Sequence, residues 1–456
     1  MMKRAFIFLF ILALTSCRNN HKEIAAIIRL ENRRAPAKEL AKFAIHPKDD
    51  IKKRAAIALG RSQDPDAAPT LVDMLRSGSP AVRVEAAFAL GQLAQPNTAG
   101  VLLQFLSDEK DLEVRLHLIE ALGKVASDSS LNKIDSTLIA LMVDDIPIIR
   151  AEAALTVGRL AHRRFSRPSW SAKLTELLQD DNEEVRWRSA YTLFRLADAA
   201  TAPALEKALR DRSPRVQMQA ARALGMLNDR KAVPALRQLA GSDPDWRVRV
   251  NATSALGNLI TPDDLAAPNL LPVKDDNMHV RLAALRAIGM AYEQAAKNPA
   301  PDPTPSATID FLIAHLGTAH ANGNVASPWQ EQVAAAVALA QALGKEALQH
   351  LTPLAAHANN HVRAGIAQAA GATQSAEAFP ILEKLATDEA SLVRIAALEA
   401  LPKIPAQKQA LPIYLNTLAS GDQVLTAVAA QNLAADTSGR QEHAAAIIAA
   451  YQRLPQ

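Results

Sequence analysis

Aromatic residues are scarce. Phe, Trp and Tyr together make up 4% of the 456 residues. A single globular core of this size is normally filled with large side chains, so this composition argues against one. Cysteine occurs once, at position 17. No disulfide can form within the chain, and packing alone must hold the fold. An excess of one charge is also missing: 51 basic residues face 47 acidic ones. That balance gives no support to a nucleic-acid-binding surface. Long hydrophobic runs are absent. The N-terminal run Ala5–Leu14 spans ten residues, too few for a permanent transmembrane helix. With 21% charged residues and a mean hydropathy near zero, a polytopic membrane protein and wholesale disorder are both excluded. What the chain does have is alanine and leucine, roughly a third of all residues. These build helices, whereas sheets need β-branched and aromatic residues. The composition predicts an all-α protein of closely packed helical layers.

The first seventeen residues read MMKRAFIFLFILALTSC. Lys3 and Arg4 precede the apolar run, the pattern of a secretory signal peptide. The run ends in Leu14-Thr15-Ser16-Cys17, which resembles the lipobox of bacterial lipoproteins. The resemblance implies cleavage before Cys17 and lipidation of Cys17, anchoring the exported chain in the cell envelope. Several acyl chains at about 0.8 kcal/mol per buried CH₂ make such an anchor essentially permanent. The next residues are Arg18-Asn19-Asn20, without the Asp of an inner-membrane retention signal. The resemblance therefore points to the outer membrane, facing the periplasm.

The rest of the chain repeats one phrase: apolar residue, Arg, two variable positions, small residues, then Leu-Gly. It reads VRVEAAFALG at 82–91, IRAEAALTVG at 149–158, VRVNATSALG at 248–257 and VRLAALRAIG at 280–289. Degenerate copies stand at 51–60, near 335–344 and at 425–434. The period suits two helices and two turns, repeated about twelve times. Ser79-Pro80, Ser213-Pro214 and Asp243-Pro244 predict helix starts, with a cap and then Pro in the first turn. Val82, Ala86, Leu90 and Leu93 fall on one helical face, the core side. The terminal Gly predicts close approach of the paired helix.

This pattern resembles HEAT repeats, of the short kind also seen in phycobilisome-lyase-like proteins. The resemblance implies a right-handed α-α superhelix, a HEAT/armadillo-like solenoid of helical hairpins. It also implies a structural ladder in which Arg83, Arg115, Arg150, Arg186, Arg249, Arg281, Arg363 and Arg394 tie successive repeats together. The candidate ladder acids are Asp111, Asp145, Asp181, Asp243, Asp276 and Asp388. Gln217 and Thr426 interrupt the pattern. The expected layout is a signal peptide at 1–16 and a lipidated N-terminus with capping helix at 17–34. A first solenoid segment follows at 35–291, then a Pro-rich insertion at 292–328 containing one repeat helix. A second segment at 329–436 and a C-terminal capping helix at 437–456 complete it. Ile24, Ile27, Ile28 and Leu30 are expected to face inward from the first cap. Ala444, Ile447, Ile448 and Tyr451 are expected to do so from the last.

Chemistry is hard to find. No phosphate-binding loop, dinucleotide fingerprint, nucleophile elbow or zinc-protease motif occurs. Some HEAT-like hydroxylases bind iron through His-Glu pairs, but no His-Glu dipeptide stands in this sequence. His350, His357 and His361 lack the Cys or carboxylates that would complete a metal site. No catalytic residue, metal or cofactor is assigned. Trp187, Arg188, Tyr191 and Arg195 form the candidate partner-binding patch, since aromatics beside Arg on an open helix face are typical of interaction hot spots. The expected function is a non-catalytic, membrane-anchored scaffold or adaptor. It would hold protein partners on its concave face, with neither nucleic acid nor a small-molecule substrate. Two alternatives come from resemblance alone: the helical-repeat part of a cyclophilin-linked prolyl-isomerase system, and a bilin-lyase-like protein.

Overall fold

Alanine- and leucine-rich phrases at helical spacing can bury only one stripe each, so they must stack on their neighbours. A computed structural model describes residues 21–267, 270–297, 306–317, 328–420, 422–435 and 440–452. Among these residues every regular element is helical. The protein is an all-α helical-repeat superhelix. The signal-peptide segment and Cys17 lie outside the described residues, as do 298–305 and 318–327 of the Pro-rich stretch.

Two compact units divide the chain, Met1–Ala223 and Leu224–Gln456. In the first, the second helices of successive repeats are α1 (Asp49–Arg61), α2 (Pro80–Leu93), α3 (Leu112–Val125), α4 (Pro147–His162) and α5 (Glu183–Leu196). Each packs against the next. The boundary falls inside α6 (Pro214–Leu227). The first helices form an outer layer: Ala67–Ser77 lies on α2, Ala99–Asp108 on α3, Asp128–Leu141 on α4 and Pro168–Leu177 on α5. In the second unit the series is α7 (Trp246–Leu259), α8 (Met278–Lys297), α9 (Trp329–Leu343), α10 (Asn360–Ala372), α11 (Ser391–Ala400) and α12 (Gln423–Ala435). These also pack in order.

Helix α2 shows why the phrase folds this way. Pro80 opens it after Ser79, where a missing N–H costs nothing. Val82, Ala86, Leu90 and Leu93 are buried between layers. Helix α7 starts later than Asp243-Pro244 suggests: its cap is Asp245, whose carboxylate accepts the Arg247 N–H. Asp243 is already engaged, accepting the Asp245 N–H on its carboxylate and Arg249 on its carbonyl.

The phrase-ending glycine serves a different neighbour from the one expected. A Cβ on Gly257 would lie 2.8 Å from Ala287 Cα, and one on Gly225 would lie 2.9 Å from Ala255 Cα. The close approach joins second helices of successive repeats, not the two helices of one repeat. The same contact fixes the register of α9. Gly289 faces Ala338 as Gly257 faces Ala287, so Gln332 takes the position of the ladder arginine and the ninth phrase begins earlier than 335. The terminal helices are also rotated from expectation. In the first, Ile27 is buried but Ile28 is 39% exposed. In Arg440–Tyr451, Ala450 and His443 are buried, while Ile448 and Tyr451 are more than half exposed.

Candidate functional site

The ladder arginines are placed by their helices at the turn leading into each second helix. Arg150 donates from Nε and Nη2 to both oxygens of Asp180, at 2.8 Å each, and from Nη1 to the Asp144 carbonyl at 2.8 Å. Arg186 does the same with Asp211 (2.8 and 3.0 Å) and the Asp180 carbonyl. Arg249 meets Asp275, and Arg363 meets Asp388. Arg83 pairs with Glu109, Arg115 with Asp144 and Arg281 with Glu331. Arg394 reaches Asp422 only at 3.9 Å. Apart from Arg115, which meets only Asp144, each arginine thus holds its own turn and the next repeat's acid.

The acids differ from those expected, except Asp388. Asp111 caps α3, accepting the Glu113 and Val114 N–H groups, and Glu109 serves the ladder. Asp145, Asp181 and Asp276 offer their backbone carbonyls to Arg150, Arg186 and Arg281. The carboxylate one residue earlier points along the stack. It is locked there by accepting a backbone N–H two residues on, as Asp180 does from Asn182. Gln217 only reaches the Leu209 carbonyl, and the Thr426 hydroxyl is buried without a partner.

The second helices leave one face open. On it, α2 places Phe88, α3 places Glu120 and Lys124, α4 places Arg159, and α5 places Trp187, Tyr191 and Arg195. These groups join into a network. Lys124 lies 5.2 Å over the Phe88 ring and pairs with Glu120 at 2.8 Å. Arg159 pairs with Glu152 at 2.6 Å, and Arg188 bonds Glu152 as well. Arg188 also binds Glu184 at 2.8 Å, and Arg215 reaches Glu184 at 3.0 Å. Arg215 closes the series 4.2 Å over Trp187, which stacks on Tyr191. Burial alone would raise the pKa values of Glu120 and Glu184. The neighbouring cations outweigh it and hold both below the usual carboxylate range.

The candidate residues therefore separate. Trp187 and Tyr191 form one half-buried aromatic pair on the open face. Arg188 is tied between two glutamates, and Arg195 bonds His162. Sequence reasoning missed Glu120, Glu152, Glu184, Arg159 and Arg215. The i,i+4 pairs Glu120/Lys124 and Glu184/Arg188 were readable signals; links between helices leave no local trace. The connection from α4 to the outer helix Pro168–Leu177 is held by packing and hydrogen bonds. Trp170 is fully buried and donates to Asp135 at 2.6 Å, while Arg163 donates to the Gly123 and Ala126 carbonyls.

Among the described residues the histidines do not gather. His357 accepts the Asn359 N–H in a turn, and His361 stacks on Trp329. Among the described residues, no three His, Cys, Asp or Glu side chains converge as metal ligands. The iron that His-Glu pairs hold in HEAT-like hydroxylases therefore finds no matching donor set here. Among the described residues no helix is long and apolar enough to cross a membrane.

Comparison with known proteins places these features. The model for HEAT repeats matches residues 69–136, 134–214, 202–272 and 324–402, and that for the PBS lyase HEAT-like repeat matches 51–77. Deoxyhypusine hydroxylase-B of Oryza sativa subsp. japonica is 27% identical over 259 residues, covering 51% of this chain and 85% of that protein. Deoxyhypusine hydroxylase of Mus musculus is 30% identical over 223 residues, covering 48% of this chain and 68% of that one. Among solved structures, importin β is similar with a TM-score of 0.58 and 14% identity. That match covers 91% of this chain and 64% of importin β, and it speaks to the fold alone.

The curated relatives overturn two expectations. A non-catalytic membrane scaffold does not stand, and neither does the reading that the chain is not an enzyme. With them falls the absence of a small-molecule substrate. The relatives named above are eukaryotic enzymes, and their likeness lends no support to the lipoprotein part of the resemblance. The physical reason for the error lies in the architecture. A repeat protein assembles a site from different repeats, each a full period apart in sequence, so no compact catalytic motif need form.

Proposed function

The chain belongs to the HEAT-repeat family, which it shares with the deoxyhypusine hydroxylases, and from that kinship we propose that it is an enzyme acting on a side chain carried by a protein partner. The single observation that carries this reading is the likeness to deoxyhypusine hydroxylases over about half of this chain and most of theirs. The open face of the second helices supports it as the surface that holds the partner. Trp187 and Tyr191 offer rigid apolar area at low entropic cost, and the glutamates beneath the arginines fix the orientation of each cation. The residues do not fit the iron of a His-Glu site, so no oxidation step is derived through it.

The test offers the purified chain a protein carrying deoxyhypusine, with ferrous iron supplied, and reads the product by mass spectrometry. A change in the mass of the partner's modified side chain is the expected result; a gain of one oxygen atom that depends on the added iron would put that metal on residues other than a His-Glu set. A partner that binds but keeps its mass sinks the hydroxylase reading. A Trp187→Ala/Tyr191→Ala variant that stays folded and binds the partner unchanged removes that surface from it.

Location is a separate proposal resting on the sequence. The segment 1–16 followed by Cys17 supports export and acylation at Cys17, as in bacterial lipoproteins, at the outer membrane facing the periplasm. Radiolabelled palmitate incorporated by the natural chain and lost in Cys17→Ala is expected. Equal labelling of both refutes it.

A further inference from the structure

The second unit carries an open groove of its own on the same face of the second helices. It has a volume of about 440 Å³ and runs between α8, α9 and α10. On α8, Leu282, Arg286 and Met290 follow one another at one-turn spacing. On α9, Val333 and Val337 do the same, with Trp329 at the helix start. Trp329 is 38% exposed and is held in place by stacking on His361, with ring centroids 4.5 Å apart and planes 19° from parallel. The groove thus carries aliphatic side chains on both walls and one aromatic rim, with Gln330, Gln341 and Gln368 as its polar lining beside Arg286.

Its central cation differs from most of those on the face of the first unit, where Arg195, bonded to His162, is the exception. There Lys124, Arg159, Arg188 and Arg215 each sit against a glutamate. In this groove Arg286 is exposed, in the middle of the apolar stripe, and has no acidic partner among the described residues. The neighbouring Gln341 donates to Glu293 farther along α8. A guanidinium between apolar neighbours gains most from a carboxylate that arrives together with apolar side chains. Such a carboxylate is bound in a partly dehydrated setting, where a charge-assisted pair is strong.

We propose that this groove binds an acidic amphipathic protein segment, its aliphatic side chains seated on Leu282, Met290, Val333 and Val337 and a carboxylate paired with Arg286. The inference deepens the partner-binding reading above and rests on it, but names a different surface from Trp187 and Tyr191. The segment is recognised by the coincidence of aliphatic anchors and negative charge, so a basic amphipath is rejected by repulsion at Arg286.

The experiment uses the full chain and a fluorescein-labelled peptide with leucines at helical spacing and glutamates between them, beside a twin bearing lysines in place of the glutamates. Fluorescence anisotropy is expected to show binding of the glutamate peptide and about tenfold or weaker binding of the lysine twin. Arg286→Glu is expected to reverse that preference. Val337→Asp is expected to weaken the glutamate peptide, and thermal melting verifies that both variants are folded. Equal affinity for the two peptides, or a glutamate-peptide affinity unmoved by Arg286→Glu, overturns the proposal. Should the hydroxylation reading fail, the peptide preference persists without any mass change in a substrate protein. Should this inference fail, turnover persists without the preference.

Discussion

Arg186 is the most deeply set rung of the ladder. Its side chain is 5% exposed, and that of its partner Asp211 is 10% exposed. Replacing it by Met fills the space but leaves a carboxylate buried without its counter-charge. The expected loss is about 3–5 kcal/mol, measured by urea unfolding. Arg394 makes the opposite case. Its pair with Asp422 spans 3.9 Å and the acid is 35% exposed, so Arg394→Met should cost less, about 1 kcal/mol, chiefly through its lost bonds to the Asp388 and Glu389 carbonyls. The acids give the ladder a pH signature. The Arg363 guanidinium holds Asp388 below its ordinary value. Asp180 is lowered too, because Arg150 and the Asn182 N–H outweigh the burial that would raise it. A depressed folded pKa means the stabilisation is complete above the unfolded value, about 4 for a carboxylate, and is lost as pH falls through the folded one. Unfolding free energy should therefore drop on acidification below about pH 4, and the drop should shrink in Arg363→Met. A chemical-denaturation series across pH checks this; an unchanged slope in the variant would count against the ladder's part in it. At this scale the arginines were legible because their phrase recurs with few interruptions. Their acids were not, because turns such as Asp144-Asp145 and Asp180-Asp181 offer two carboxylates. Backbone geometry decides which one caps or bends and which one reaches the next repeat.

Between helices, the spacing of the stack is set by residues without side chains. Gly257 sits where a Cβ would meet Ala287 Cα at 2.8 Å. Alanine there gains helix propensity of up to about 1 kcal/mol, but the backbone it strikes belongs to the neighbouring repeat and cannot rotate away. Gly257→Ala should destabilise by about 1–3 kcal/mol. Gly241, in the outer helix Val233–Ser242, has nothing within 4 Å of its missing Cβ. Gly241→Ala should raise stability by about 0.5–1 kcal/mol, as the lost backbone freedom belongs to the unfolded chain. Thermal melting of the two variants should move in opposite directions. Helix existence was readable from the phrase, since Val82, Ala86 and Leu90 announce a buried stripe. Register in α9 was not, because an alanine-rich run such as Ala334–Ala336 offers several equivalent faces, and only the contact with Gly289 selects one. The terminal helices went the same way. Ile447 and Ile448 are adjacent, so either could have faced inward; Ala450, smaller, fits against the stack.

For the whole molecule, the aromatic shortage has its cause in thin layers, where each repeat buries its stripe on the next and no deep core needs filling. The same architecture made the fold legible and left the function without a motif, since the ion-pair network of Glu120, Glu152 and Glu184 spans three helices. It also dictates how damage spreads. Nearest-neighbour packing makes stability a sum of local terms, so a broken rung should loosen its own repeat and the adjoining ones without reaching distant ones. Arg150 ties α4 to the turn before α5 through Asp180. In Arg150→Met, amide hydrogen exchange should quicken in α4 and α5, whose backbone bonds then open at lower cost. Exchange in α10 and α11, held by Arg363 and Asp388 in the other unit, should keep its natural rate. Were α10 to quicken as much as α4, the chain would be unfolding as one cooperative body, and the additive picture of its repeats would be wrong.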